Sequence, residues 1–315
     1  MKKWLIKSEE VSLPNCGKYP GARTDGELLK SGIIILDKPN GPTSHQVDAW
    51  MKQITGVGKA SHGGTLDPRV SGVLLIALED ATKLMPILLS CKKEYVALIN
   101  LHENVPEEKI RVALERFIGK IQQLPPKKSA VARRVRTREI YYLEVLEISN
   151  RDVLIKVGCE AGTYIRRLAD DLGKELGVGS HLQELRRTRG GIFEEADVHT
   201  MQAVCDAFET GRIRDVVMPT EKIADGMKTV IIRDSAVDAV CNGAPLATGG
   251  LARIENGIER GEWVAVLSEK GEFVAFGKAQ MESIDMLRRK GVAVRTERVI
   301  MKKGTYPKMW AKTDK

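Results

Sequence analysis

The chain has 315 residues, 43% of them hydrophobic and 29% charged, with a formal net charge of +8; this is the balance of a globular protein with room for two domains and a preference for polyanionic partners. No apolar run approaches the ~20 residues that span a bilayer, and charges return within the first ten residues before a signal sequence can form, so no membrane partner is expected and the cytoplasm is the expected compartment. Five scattered cysteines without a Cys-x-x-Cys pair indicate neither a disulfide framework nor a cysteine zinc site, and an aromatic content of 5% favours nucleic-acid recognition through phosphates and shape over extended stacking.

Residues 1–30 are charged and carry Pro14, Gly17, Pro20 and Gly21, the texture of an extended arm with little core of its own. Residues 32–37 form a short β-branched run suited to a strand buried on both faces, stopped by Lys38-Pro39-Asn40-Gly41-Pro42. Ser44 reads as the N-cap of a helix with Val47, Trp50, Met51 and Ile54 on one face, ending near Gly56. A loop of glycines and hydroxyls at 61–72 then presents one carboxylate, Asp67, which Pro68 keeps out of helical geometry. It runs into the apolar segment 73–78.

Further along, 80–89 reads as a helix, 93–99 as a strand, and 105–119 as an amphipathic helix ending at Gly119. A hairpin covers 139–157 with its turn at 150–152, and a helix over 165–176 closes at Gly177. A loop and strand end near Phe193, and 201–208 is helical. From about 229, short β runs alternate with glycine turns at Gly249-Gly250, Gly257, Gly261 and Gly271, which suggests a small β-barrel. The fold class is therefore α+β, with a boundary in 219–228.

The chain has no Walker loop, no Gly-x-Ser-x-Gly elbow and no His-Glu-x-x-His, and its histidines (45, 62, 102, 181, 199) are scattered, so metal catalysis, nucleotide hydrolysis and serine-esterase chemistry are not expected. What remains is one acid in a glycine loop and basic residues at other breakpoints. An Asp-Pro turn is by itself far more often structural than catalytic. Arg166 falls in the first turn of its helix, either as a solvated arginine or as an ion-pair partner of Asp67. Three basic runs lack interleaved acids over most of their length: 127–138 with Arg133, Arg134 and Arg136, then 186–189, then 288–303. Tyr95 is by default a strand residue of the core.

Ile35-Leu36-Asp37-Lys38-Pro39-x-Gly41-Pro42-Thr43-Ser44-His45 and His62-Gly63-Gly64-Thr65-Leu66-Asp67-Pro68 resemble the first two motifs of the TruB-like pseudouridine synthases. Lys93-x-Tyr95, Gly162-Thr163-Tyr164-Ile165-Arg166 and Leu185-Arg186-Arg187-Thr188 are similar to the later motifs, in order, over about 32–200. The last third resembles a PUA domain. The arm, and the stretches Pro125-Pro126-Lys127-Lys128 and Arg133-Arg134-Val135-Arg136, resemble the H/ACA guide-RNA-dependent branch of which dyskerin is the eukaryotic member. The lysine-rich tail of eukaryotic members does not follow Trp310, as in the archaeal form.

The resemblance implies a catalytic domain at 32–225 with a central mixed or antiparallel sheet flanked by helices. It also implies an arm at 1–31 packed on a PUA domain at 228–303, and a tail at 304–315. It implies conversion of uridine to pseudouridine in rRNA or tRNA, with guide RNA and small accessory proteins as partners; the alternatives are a stand-alone tRNA pseudouridine-55 synthase and an RNA-binding assembly protein. Asp67 would act without metal or cofactor, attacking C1′ or abstracting a proton on the way to a glycal. Arg166 would be its ion-pair partner, and Tyr95 would stack on the flipped base and relay a proton. His62 would assist flipping, Leu185 would pack against the pocket, and Lys38 and Lys83 would help. Arg133, Arg134, Arg136 and Arg186 would contact phosphates, and Gly249 and Gly250 would grip an RNA end.

Overall fold

The computed structural model of the chain describes residues 2–9, 12–125 and 134–309. The arm opens with a strand, Trp4–Ile6 (β1), and continues to a short helix, Asp25–Leu29 (α1), whose N-terminus is closed by a reciprocal Thr24–Glu27 capping box. The isoleucine-rich run becomes Gly32–Lys38 (β2), and Ser44–Thr55 (α2) follows the proline-glycine turn. Thr43, not Ser44, is the cap of α2: its hydroxyl accepts from the Gln46 amide while Gln46 returns the bond, which leaves the Ser44 hydroxyl free to reach elsewhere. Val47 and Met51 are buried, but Trp50 is 40% exposed and lies off the buried face.

Ala60–His62 (β3) and Val70–Leu78 (β4) flank the Asp67 loop. The expected helix over 80–89 splits into a 3-10 segment, Glu79–Leu84, and a short helix, Met85–Ser90 (α3), with Pro86 in its first turn where no amide bond is lost. Next come Lys93–Leu101 (β5), Glu107–Glu115 (α4), Gly119–Gln123 (β6), Arg136–Ser149 (β7) and Asp152–Cys159 (β8). Gly119 starts a strand instead of ending a helix. Ile165–Leu176 (α5) ends at a left-handed Gly177 as expected. The second basic run lies inside an eleven-residue strand, Ser180–Gly190 (β9), followed by Phe193–Glu194 (β10), Met201–Glu209 (α6), Met218–Pro219 (β11) and Glu221–Ala224 (α7).

These strands make one ten-stranded mixed sheet with main order β11-β2-β4-β9-β5-β8-β7-β6, in which β4 and β9 are the parallel neighbours. They approach so closely that a Cβ on Gly72 would lie 2.2 Å from the Arg187 carbonyl oxygen; its φ of 102° also requires glycine.

The last third comprises Lys228–Ile232 (β12), Asp234–Cys241 (α8), Leu246–Ala247 (β13), Leu251–Glu255 (β14), Trp263–Ser268 (β15), Phe273–Ala279 (β16), Ser283–Arg288 (α9) and Val292–Val299 (β17). The β texture was legible, but α8 was hidden by its short apolar stretch. β1 joins this second sheet, of seven strands, by pairing antiparallel with β14. One apolar cluster joins the two sheets: Ile33, Ile35, Val73 and Leu75 pack with Ala265, Phe273, Phe276 and Ile300. Each large apolar side chain so buried contributes roughly 1.5–3 kcal/mol, so the two sheets are held by a shared core.

Candidate active site

Asp67 sits at a turn whose backbone is anchored on both sides. The Ser44 hydroxyl donates to the Leu66 carbonyl and accepts from the Leu66 amide, both at 2.9 Å. On the far side the fully buried Lys38 ammonium donates to the carbonyls of Pro39 (2.9 Å), Pro68 (3.3 Å) and Val70 (2.8 Å), and the Gly41 amide donates to Pro68 at 2.8 Å. Burial lowers the pKa of Lys38 and the nearby Asp67 carboxylate opposes that shift. The motif lysine is thus a clamp beneath the carboxylate loop.

Arg166 reaches the carboxylate from the first turn of α5: its Nη2 lies 2.5 Å from Asp67 Oδ2, with both side chains just over half exposed. A cation at a helix N-terminus opposes the helix dipole, and the Asp67 carboxylate compensates. The turn entering α5 is fixed by Gln123, a buried β6 residue whose amide accepts from Tyr164 N (2.9 Å) and donates to Tyr164 O (3.2 Å). The basic residues Arg134 and Arg136 lead into β7 beside it, with Arg136 paired to Gln123 across the strands.

Behind Asp67, register decides what meets. Tyr95 on β5 stands opposite Arg187 on β9, and Leu185 stands opposite Val70 where β9 runs parallel to β4. Tyr95 and Leu185 pack against the same apolar cluster as Leu66 and Val70. Burial pushes the Tyr95 phenol up, and the Arg187 guanidinium beside it pulls the other way. Arg187 is only 2% exposed; its Nε donates to Val73 O at 2.6 Å and both Nη atoms donate to Gly64 O at 3.2 Å. It stitches the glycine loop to β4. Lys93, also buried, donates to the carbonyls of Leu88, Leu89 and Cys91, and burial lowers it to about 8.

The ion pair and this wall make an open, water-accessible carboxylate with an aromatic ring and fixed positive charge behind it. Comparison with known proteins matches residues 52–165 to the TruB family pseudouridylate synthase N-terminal domain and 166–224 to the tRNA pseudouridylate synthase B C-terminal domain. Residues 228–300 match the PUA domain, and 1–48 match the DKCLD (NUC011) domain. A probable tRNA pseudouridine synthase B of Methanopyrus kandleri is 49% identical over 317 residues, covering 98% of this chain and 94% of that protein.

The chain belongs to the TruB family of pseudouridine synthases.

Two solved structures extend the likeness over nearly the full length. The chain matches one in a Cbf5-Nop10-Gar1 complex at 48% identity and TM-score 0.92, covering 98% of this chain and 96% of that one. It matches another in an H/ACA RNP bound to a substrate RNA containing 2′-deoxyuridine at 48% identity and TM-score 0.91, covering 98% of both. This TruB-family chain is therefore an RNA isomerase with a pseudouridine synthase fold and a PUA domain.

Other expected site residues of this TruB-family chain are placed differently. Arg186, on the opposite face of β9 from Arg187, holds Asp37 bidentately at 2.9 and 3.0 Å and also pairs with Glu195, so a phosphate would compete with two carboxylates. Lys83 pairs with Asp80 at 3.0 Å on the 3-10 segment. Arg133 lies outside the described residues. Gly249 and Gly250 end a 3-10 turn in the second sheet, where a Cβ on Gly250 would meet Ala236 at 2.8 Å, so packing alone requires that glycine. His62 is nearly buried, with Nδ1 at 2.7 Å from Asp48 and Nε2 at 3.0 Å from Thr65 Oγ1. His45 joins it, so the histidines are less scattered than their numbering suggests.

Arg187, which falls in a motif and a basic run without a role of its own, and Gln123 are the bracing positions that sequence patterns do not single out. Reading 185–189 as a strand puts Leu185 and Arg187 on one face and Arg186 on the other, which separates the buried arginine from its exposed neighbour. Gln123 carries no signal of its own before the fold is known.

Proposed function

We propose that this chain is the catalytic subunit of a cytoplasmic guide-RNA ribonucleoprotein that isomerises uridine to pseudouridine in rRNA or tRNA, working with small accessory proteins. The observation that carries this reading is the near-complete mutual coverage with a chain of an H/ACA RNP bound to substrate RNA. That coverage includes the arm and the PUA domain as well as the synthase core. The relatives' description as probable tRNA pseudouridine synthase B favours a second reading, a stand-alone enzyme acting on tRNA.

In the proposed reaction the C1′–N1 bond breaks, the uracil turns, and a C5–C1′ bond forms. The proton on C5 is lost and N1 gains one, so the product has the composition of the substrate. Asp67 serves either as nucleophile toward C1′ or as base toward C2′; both uses need a carboxylate held toward solvent-borne substrate, which Lys38, Ser44 and Arg166 support. Tyr95 stacks on the flipped base. It also relays the proton lost from C5; burial raises its phenol and the Arg187 guanidinium opposes that shift.

The test is purification of the full chain with its bound RNA, followed by sequencing. Recovery of hairpins ending in an ACA trinucleotide, with conversion only of uridines opposite their pockets, supports the proposal. Full-rate conversion of a T-loop uridine in tRNA, with no guide present and no such RNA recovered, would establish the second reading instead.

A further inference from the structure

We infer that His45, Asp48 and His62 form a binding site for a divalent transition-metal ion of the zinc class. His45 and Asp48 are three residues apart on α2 and share a face; His62 is the last residue of β3. One ligand atom from each lies within 4.8 Å of the others. His62 Nδ1 is 2.7 Å and His45 Nδ1 3.8 Å from the same oxygen, Asp48 Oδ2. Zinc bonds of about 2.0–2.2 Å at tetrahedral angles set donor atoms roughly 3.3 Å apart, between those two separations. Seating an ion brings His45 nearer to Asp48 Oδ2 and His62 slightly farther from it.

Three further features fit a metal better than a plain hydrogen-bonded pair. Asp48 Oδ1, the partner of the oxygen that faces both imidazoles, is shielded from solvent without a hydrogen-bond partner, so this carboxylate has acceptor capacity that no group meets. The outer nitrogen of His62 is held by Thr65 Oγ1 at 3.0 Å, the kind of outer contact that orients a metal-bound imidazole. His45, with a side chain 84% exposed, has its ring edge-on to His62 at 5.0 Å between centroids. Two imidazoles and one carboxylate suit zinc and its neighbours, with a fourth position left to water. Thr65 lies two residues before Asp67, so an ion here would stiffen the approach to the carboxylate loop. The inference is independent of the guide-RNA reading.

Competing ligands are the five cysteines and the His102–His181 pair at 3.3 Å. The experiment therefore uses the full chain, stripped with chelator, in a His102→Ala background. It is titrated with Zn²⁺ by calorimetry and with Co²⁺ by visible absorption, and His45→Ala and Asp48→Asn are added singly. One saturable equivalent should bind, with a tetrahedral Co²⁺ spectrum free of thiolate charge transfer. Each added variant should weaken it about 10–100-fold, and Zn²⁺ should raise the melting temperature of the parent but not of His45→Ala. His45 is exposed, so its variant folds; the metal-free melt checks Asp48→Asn. Affinity unchanged in both variants, or no saturable binding in the parent, overturns the site and leaves a histidine–aspartate hydrogen bond.

Discussion

The Lys38 ammonium, fully buried, donates to the Val70 carbonyl at 2.8 Å and so spans the turn that carries Asp67. Replacing Lys38 with methionine keeps most of the length and removes the ammonium from the carbonyls of Pro39 and Val70, while Pro68 keeps only the Gly41 amide. Losing the desolvated charge offsets part of that loss. The expected stability change is about 1–3 kcal/mol by urea melt, with a larger effect on chemistry: single-turnover conversion should fall at least about tenfold as the carboxylate loses its fixed aim. A folded variant with the parental rate would show that Lys38 does not position Asp67.

Asp67→Asn keeps the shape of the side chain and removes both nucleophile and base. Conversion of labelled uridine should disappear, while RNA affinity stays within a few-fold. Turnover near the parental rate under single-turnover conditions removes Asp67 from the proposed chemistry.

Arg166→Lys retains charge and loses the planar fork that approaches Asp67 Oδ2 from the N-terminus of α5. An ammonium offers a point charge with no matched geometry for carboxylate and phosphate together. Single-turnover rate should fall about tenfold or more, with the melting temperature nearly unchanged because the pair is exposed and adds little stability. An unaltered rate would mean the ion pair has no part in catalysis.

Arg288, Arg289 and Lys290 are exposed at the end of α9, with Arg289 paired to Asp285 at 3.0 Å. If this surface anchors guide RNA, reversing all three charges should weaken guide binding and make its salt dependence shallower, by about 0.7–0.9 in log–log slope for each phosphate no longer neutralised. Binding and slope that both stay constant in a folded variant would move the anchor elsewhere.

Lys93 supplies a pH prediction. Burial, its largest influence, brings its pKa down to about 8, whereas the unfolded chain holds that proton until about 10.4. Between those values the unfolded state binds more protons, so unfolding free energy rises with pH; below about 8 the penalty for the buried charge is fully present. Lys93→Met should flatten the rise between pH 8 and 10 in a difference of urea melts. A rise of the same steepness in both proteins would assign it to other groups.

Much of this was legible because the chain punctuates itself. Gly177 closes α5 in the left-handed region, and the carboxylate loop is marked by its glycines and Pro68. The Asp67–Arg166 pair, ninety-nine positions apart, is reached by asking which cation stands at another breakpoint and by family resemblance. Other features depend on information that composition does not carry. A basic run read as a patch conceals the alternation that buries Arg187 and exposes Arg186. Gly119 announces a break without saying which element lies on which side of it. His45, Asp48 and His62 meet only after α2 folds back on β3; the three-residue spacing of the first two is the available clue.

The pairing of β1 with β14 makes synthesis order matter. Trp4 finds its partner only at Glu255, and the Lys7 amine finds its acceptors only at Met286 and Leu287. At ribosomal rates of about 5–20 residues per second, the first strand waits on the order of ten to fifty seconds with its edge unmet. A chain released early, or one truncated before residue 251, carries that open β edge into solution, where it can pair with a neighbouring chain. Premature termination should therefore yield aggregates more than soluble fragments.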